Sequence, residues 1–93
     1  MTIDDKRDAN EAELVKLWTD LGAVWVKQDR FAGFDGLLLY QGRAYVVEIK
    51  NPRRKWHYTD REMARMIDFG KVGIQYHTIE TPEKALELIQ FSE

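Results

Sequence analysis

Cysteine is absent from the 93-residue sequence, which excludes disulfide bonds and thiolate metal sites. Proline occurs only twice, and there is no low-complexity tract, internal repeat or linker, so residues 1–93 are expected to form one domain. No apolar run approaches the length of a membrane span, and the polar segment MTIDDKRDANEAE does not resemble a signal peptide. We therefore expect a cytosolic protein without membrane contact.

A strong net charge of either sign is also missing. The formal net charge is −2 and the isoelectric point about 5.7, so overall charge does not support a nucleic-acid partner. Basic residues are nevertheless concentrated in KNPRRKWHYTDR, Lys50 to Arg61. A local basic patch on an acidic protein can steer a phosphate backbone. The alternative, which composition alone favours, is a solvated loop.

Residue patterns in the first half predict one helix and three strands. We predict a helix over Asp8–Leu21, with Asp8 as its N-cap and Gly22 as its stop. A short strand follows over Ala23–Lys27. A hairpin is then predicted with strands over Phe34–Tyr40 and Arg43–Asn51, joined by a two-residue Gln41-Gly42 turn.

The second half adds two helices and one strand. TDRE at Thr59–Glu62 is a capping box, so a helix is predicted from there to Gly70. VGIQYHTI predicts a fourth strand, and PEKALELIQF a last helix that begins at Pro82. The resulting α/β order, αβββαβα, favours a mixed sheet flanked by helices. An apolar set at helical spacing is interpreted as core or as a dimer contact: Met63, Met66 and Ile67.

The hairpin register brings charged residues together. If Tyr40 pairs with Arg43, then Asp35 lies opposite Glu48, and like charges in that position are unfavourable. Lys50 shares the face of Glu48, because side chains two apart on a strand point the same way. A divalent cation bound by both carboxylates, with the Ile49 carbonyl near them, would compensate the repulsion.

Helix 1 offers a further acid. Glu11 lies in line with the apolar stripe of this helix and could join Asp35 and Glu48. Each acid also has an ordinary explanation: Glu11 in a favourable first helical turn, Asp35 in an Asp-Gly turn, and Glu48 in a surface ion pair with Lys50. The shared geometry favours a site, since it accounts for all four residues at once.

The order of these features is an acidic helix residue, an aspartate, a hairpin and then Glu-x-Lys. In this order the sequence resembles the PD-(D/E)xK nuclease superfamily. The resemblance covers most of the chain and is carried by three segments: NEAELVKLWTDLGAVWVK, AGFDGLLLYQGRAYVVEIKNP and TDREMARMIDFGKVGIQYHTIETPEKALELI. The chain is most similar to the small virus-type replication-repair nuclease (VRR-Nuc) domain and, more distantly, to archaeal-type Holliday-junction resolvases. It departs from them at Phe34, where a proline is usual. Many relatives carry a glutamine in the region of Glu62. We interpret Glu62 itself as a capping residue only.

The resemblance implies a restriction-endonuclease-like core and metal-dependent hydrolysis of DNA phosphodiester bonds. Asp35, Glu48 and the Ile49 carbonyl would hold Mg²⁺ or Mn²⁺, with Glu11 completing the site directly or through water. Lys50 would orient or help to deprotonate the attacking water, or stabilise the oxyanion.

The resemblance also suggests substrates and partners. DNA contacts are expected from the residues that flank the acids: Lys27, Arg30, Arg53, Arg54, Lys55, Trp56 and Tyr58. The expected substrate is branched or Holliday-junction DNA. Relatives that resolve junctions act as homodimers, so a homodimer is expected if junctions are the substrate, whereas a single-strand nick or flap cleavage would need no such symmetry. Similar lone domains often belong to phages or prophages, so the resemblance implies a cytoplasmic location in a bacterial or phage-infected cell.

Two other functions fit the same residues. A nucleic-acid-binding or assembly module could keep the fold without turnover. A plain α/β domain could carry the acids as surface residues, and it predicts no stabilisation by divalent ions.

Overall fold

The computed structural model of the protein describes residues 3–90, with side chains over residues 10–90. Its elements follow one another in the predicted order, αβββαβα. They are α1 (Ile3–Asp20), β1 (Val24–Lys27), β2 (Gly36–Tyr40), β3 (Arg43–Ile49), α2 (Asp60–Lys71), β4 (Tyr76–Ile79) and α3 (Pro82–Gln90). Within this part of the chain, no helix combines the length and apolar character needed to cross a membrane.

The four strands form one mixed sheet in the order β1-β2-β3-β4. The β1–β2 and β2–β3 pairs are antiparallel, whereas β3 and β4 are parallel, so the predicted mixed sheet is confirmed. The hairpin register is also confirmed, since Tyr40 pairs with Arg43 and the ladder continues to Gly36 opposite Val47. Gln41 and Gly42 both have positive φ, 47° and 79°, as a tight two-residue hairpin turn requires.

The start of the first helix differs from the prediction. Helix α1 begins at Ile3, so Asp8 lies inside the helix and the N-cap prediction is wrong. The polar segment before Asp8 contains neither glycine nor proline, and its residues tolerate a helix well enough for α1 to continue past Asp8. Helix α3 is described from Pro82 to Gln90, and the predicted last residue, Phe91, lies outside the described residues.

The fourth strand is shorter than predicted. Helix α2 runs to Lys71, and Val72 is its C-cap, with its N–H directed at the carbonyls of Phe69 and Gly70. Gly73 then adopts a φ of 76°, which turns the chain away from the helix axis. The residues predicted to start the strand are therefore used to end α2, and β4 begins only at Tyr76.

The core lies on one face of the sheet, beneath α1 and α3. Trp18 is fully buried, and its indole N–H donates to the Ala85 carbonyl at 2.9 Å, which ties α1 to α3. Trp25 stacks on Trp18 with ring centroids 5.7 Å apart. The buried cluster consists of Leu14, Trp18, Ala23, Leu38, Tyr45, Val47, Ile49, Ile79, Ala85, Leu88 and Ile89.

Helix α2 covers part of the opposite face. Side chains alternate along β3, so Glu48 and Lys50 point away from the core that Val47 and Ile49 enter. Glu62 of α2 contacts Lys50 on this face. The three ionisable side chains are each buried, at 1%, 8% and 6% exposure for Glu48, Lys50 and Glu62.

Met63 and Ile67 lie on the outer side of α2. They are 44% and 61% exposed, so the core interpretation is wrong for both of them. Met66 is half-buried and turns toward the protein together with Glu62 and Phe69. The spacing of Glu62, Met66 and Phe69 is that of one helical face, and this face is the one that α2 buries.

Candidate active site

Asp35 lies immediately before β2, with its carboxylate directed at the end of β3. Its backbone N–H donates to the Val47 carbonyl at 3.0 Å. Its Oδ2 atom accepts a hydrogen bond of 2.7 Å from the Ile49 N–H. These two contacts flank Glu48, so the structure brings the two acids together as the hairpin register predicts. The Ile49 carbonyl belongs to the residue whose N–H holds the aspartate.

The segment before Asp35 is held against α2 and β4. Tyr76 donates its hydroxyl hydrogen to the Gly33 carbonyl at 2.7 Å, and the Arg65 guanidinium donates to the Ala32 carbonyl at 2.8 Å. Gly33 has a φ of 83°, and a Cβ there would lie 2.8 Å from the Arg61 carbonyl oxygen. The close approach to α2 therefore requires glycine at this position. These contacts fix the position of Asp35 relative to α2.

Lys50 is enclosed by acids and aromatic rings. Its Nζ lies 2.9 Å from Glu62 Oε1 and 3.4 Å from Glu48 Oε2. It also donates to the His57 carbonyl at 3.4 Å. The ring centroids of Trp56 and Tyr58 lie 5.6 and 5.7 Å from Nζ, within the range of cation–π attraction. The ammonium group is thus held in one place by contacts on several sides.

Glu62 has two roles, of which the sequence predicts one. The predicted capping box is confirmed: Thr59 Oγ1 accepts from the Glu62 N–H, and Glu62 Oε1 accepts from the Thr59 N–H. The same carboxylate binds Lys50 and is hydrogen-bonded to the Glu48 carboxyl. The helical spacing of Glu62 with the half-buried Met66 and Phe69 was the available signal that it faces the sheet.

The cluster has an unusual charge balance. Burial, followed by the charge of Asp35 and the contact with Glu62, raises the pKa of Glu48 to about 9, although Lys50 acts in the opposite direction. Burial alone would raise the pKa of Glu62, but hydrogen bonds from Glu48, Lys50 and the Thr59 N–H lower it. At neutral pH, Glu48 therefore carries a proton and donates it in a hydrogen bond to an ionised Glu62.

Glu11 forms an ion pair with a basic residue of β1. Its carboxylate is 12% exposed and accepts a hydrogen bond of 3.0 Å from Lys27, at the end of β1. The adjacent Asn10 amide donates to the Lys50 carbonyl at 3.1 Å, so α1 does reach the end of β3. Over the described part of the chain, no three histidine, cysteine or acidic side chains are arranged as a group that could hold a metal ion. The predicted role of Glu11 as a ligand thus stays a prediction.

The predicted basic patch is divided between two pockets. Arg54 and Lys55 line a pocket of about 360 Å³ next to Lys50, together with Trp56 and His57. Arg53 lines a separate pocket of about 270 Å³, in which Glu13 and Glu80 are also found. The chain turns at residues 52–54, so the neighbouring side chains of Arg53 and Arg54 line different pockets. Arg54 and Lys55 therefore share a pocket with Lys50, whereas Arg53 does not.

The aromatic residues of this segment are anchored to β4 and the residue that follows it. Trp56 Nε1 donates to Glu80 at 3.0 Å, and the Tyr58 hydroxyl lies 2.7 Å from the Thr78 hydroxyl. The two rings meet edge to face, with centroids 5.2 Å apart. Both residues therefore have a structural role beside any contact with DNA.

Arg30 lies on the surface, next to an exposed aromatic ring. Its guanidinium stands 5.1 Å from the ring centroid of Phe31, which is 59% exposed. Arg61 approaches the same ring at 4.7 Å. Of the predicted DNA contacts, Arg30 thus lies in a cation–aromatic cluster, and Lys27 lies in an ion pair with Glu11.

Comparison with known proteins identifies no relative: no family, curated protein or solved structure matches this chain. The resemblance of Asp35, Glu48 and Lys50 to the PD-(D/E)xK motif therefore stays a prediction from sequence. Their function is proposed from geometry and chemistry.

Proposed function

We propose that the protein is a divalent-metal-dependent nuclease that hydrolyses phosphodiester bonds in DNA. The observation that carries this proposal is the convergence of Asp35, Glu48 and Lys50 at the end of one hairpin. A buried ammonium group beside two carboxyl groups, with exposed cations nearby, suits the hydrolysis of an anionic ester. The αβββαβα order and the mixed sheet support a restriction-endonuclease-like core.

The donor set fits a hard divalent cation. Two buried carboxyl groups, Glu48 and Glu62, share a single ammonium group, Lys50, and the half-buried Asp35 adds its negative charge beside Glu48. Without a cation, this excess of acid is relieved by a proton on Glu48. Asp35, Glu48 and the Ile49 carbonyl are oxygen ligands of the kind that Mg²⁺ and Mn²⁺ prefer. The bound ion would supply charge neutralisation at the phosphate and a lowered pKa for attacking water.

The protein's own groups prepare the site for substrate. The Ile49 N–H fixes the orientation of the Asp35 carboxylate. Glu62 holds Lys50 at 2.9 Å, which positions the ammonium group to donate a hydrogen bond to attacking water or to a phosphate oxygen. In this arrangement Glu62 acts as a positioning residue and Lys50 as the group that meets the substrate.

Cleavage assays on several DNA structures test the proposal. Labelled linear, nicked, flap and four-way DNA are offered with Mg²⁺ or Mn²⁺ to the wild type and to Asp35→Asn, Glu48→Gln and Lys50→Met. Each substitution should abolish cleavage while the circular dichroism spectrum stays that of the wild type. Asp68→Asn and Lys84→Met serve as matched controls, because both side chains form only exposed ion pairs.

The panel of substrates also tests the expected specificity. Preferential, paired incision of the four-way DNA, together with a dimeric mass in solution, would support a junction resolvase. Preference for flap or nicked DNA by a monomer would support a nuclease that cuts one strand.

A second candidate is a nucleic-acid-binding or assembly module without turnover. The burial of Glu48, at 1% exposure, favours it, because an ion or water must reach an enclosed carboxyl group. DNA binding that is retained without cleavage of any substrate under any divalent ion would establish this candidate instead.

A further inference from the structure

We propose that the pocket beside Lys50 binds one unpaired nucleotide of DNA. This inference rests on the proposed function and adds a substrate class to that function. We name this site the Trp56 pocket. Its walls include Lys50, Asn51, Arg54, Lys55, Trp56 and His57. Lys50 belongs both to this pocket and to the acidic cluster, so an occupant of the pocket lies next to the candidate active site.

The pocket offers a pre-formed surface for an aromatic base. It measures about 360 Å³, and the half-buried Trp56 forms one of its walls. The indole is fixed by its hydrogen bond to Glu80 and by its edge contact with Tyr58. A fixed ring loses little conformational entropy when a base stacks on it. Base–aromatic stacking is insensitive to sequence, because every base has a π face.

The charge of the pocket suits a nucleotide phosphate. Arg54 and Lys55 are exposed, and Lys50 supplies a third cation at the inner end. Within the described residues, no acidic side chain lines this pocket, whereas Glu13 and Glu80 line the one that contains Arg53. The two adjacent pockets therefore differ in charge, and of these two the Trp56 pocket combines cations with an aromatic side chain in its wall.

The concave shape selects an unpaired nucleotide. A base inside a duplex is stacked on both faces and paired along its edge, so it can enter a pocket only if it is extruded at a cost in stacking and pairing. A base in an overhang, gap or flap enters without this cost. The pocket therefore predicts preference for DNA with a single-stranded segment over a continuous duplex.

Binding measurements without divalent ions test the pocket independently of catalysis. Fluorescence anisotropy in EDTA compares a duplex that carries a short oligothymidine overhang with the same duplex made blunt. We expect the full-length wild type to prefer the overhang by on the order of tenfold, the contribution of one stacked base. Trp56→Ala should reduce the preference to near unity, and Trp56→Phe should keep most of it. Arg54→Ala with Lys55→Ala should weaken overhang binding, whereas Arg53→Ala should leave it nearly unchanged.

A second readout does not depend on Trp56→Ala being folded. Overhang DNA should quench tryptophan fluorescence in the wild type but not in Trp56→Phe, in which the buried Trp18 and the partly buried Trp25 remain as reporters. Equal affinity for overhang and blunt DNA, equal quenching in Trp56→Phe, or an Arg53→Ala loss as large as that of the double variant would each overturn the proposal. Absence of cleavage would instead count against the proposed function and leave these binding results unaffected.

Discussion

Glu62 Oε1 lies 2.9 Å from Lys50 Nζ and accepts a hydrogen bond of the same length from the Thr59 N–H. One carboxylate oxygen therefore joins the start of α2 to the end of β3. The N-cap of the helix and the position of the candidate catalytic lysine are fixed by the same atom. A change at Glu62 should affect both stability and site geometry.

Substitution of Glu62 separates its two roles. Glu62→Gln retains an oxygen that can accept from Thr59 but loses the negative charge that holds Lys50. Glu62→Ala loses both, so it should lower the free energy of unfolding by about 3 kcal/mol, and Glu62→Gln should lower it by less. Urea denaturation measures these changes. In a cleavage assay, Glu62→Gln should reduce kcat with little change in KM, because Lys50 is present but poorly held.

Asp60→Asn is the matched control for Glu62. Asp60 lies in the same first turn of α2 but is exposed, so its loss should cost only about 0.5 kcal/mol and leave kcat unchanged. Equal losses in the two variants would show that Glu62 acts only through the helix terminus.

The stability of the metal-free protein should fall as pH rises from 7 to 9. The folded pKa of Glu48 is raised to about 9 from an unfolded value of 4.5, so the folded state holds a proton that the unfolded state has lost. The slope should reach up to about 1.4 kcal/mol per pH unit. Burial lowers the pKa of His77, and this group changes stability only below its unfolded value of 6.5. Urea denaturation in EDTA at pH 7, 8 and 9 measures the slope.

Glu48→Gln provides the control for this pH dependence. Its amide can donate to Glu62 as the protonated acid does, but it does not titrate. Stability of this variant should be flat between pH 7 and 9. A slope as steep as that of the wild type would mean that the proton resides on another group.

Divalent ions should bind more tightly as pH rises. Binding at Asp35 and Glu48 displaces the Glu48 proton, so the apparent affinity for Mn²⁺ should increase about tenfold per pH unit up to pH 9. Isothermal titration calorimetry in buffers of different ionisation enthalpy should report the release of about one proton. Asp35→Asn should abolish binding and Asp68→Asn should preserve it, whereas pH-independent binding would place the ion elsewhere.

Two glycines should respond in opposite ways to alanine. A Cβ on Gly36 would lie 2.6 Å from the Trp25 ring, so Gly36→Ala should destabilise the protein by about 2 kcal/mol through displacement of the indole. Gly70 lies in α2 with open space around its Cα. Gly70→Ala should therefore stabilise by about 0.5–1 kcal/mol through helix propensity. Thermal denaturation distinguishes the two variants. Destabilisation by Gly70→Ala as well as by Gly36→Ala would show that the space around Gly70 is not open.

Local sequence signals predicted much of this fold. The Gln41-Gly42 turn fixes the hairpin register, and that register alone places Asp35 beside Glu48. The capping box at Thr59–Glu62 determines the start of α2. These features depend on residues close in sequence, so one amino-acid sequence is sufficient to predict them.

Features that depend on packing were not predicted. The contact of Glu62 with Lys50 depends on how α2 is rotated over the sheet, and the same rotation leaves Met63 and Ile67 exposed. The separation of Arg53 from Arg54 depends on the path of one turn, which neighbouring basic residues do not reveal. Spacing identifies the face of a helix, but the partner of that face is set by tertiary structure.

Metal-dependent cleavage at Asp35 is tested by hydrolysis of end-labelled DNA with Mn²⁺ by the wild type, Asp35→Asn and Asp68→Asn at equal folded concentration. The wild type and Asp68→Asn should cleave the DNA, and Asp35→Asn should not. Equal cleavage by all three proteins, or none by the wild type on any DNA structure, would contradict it.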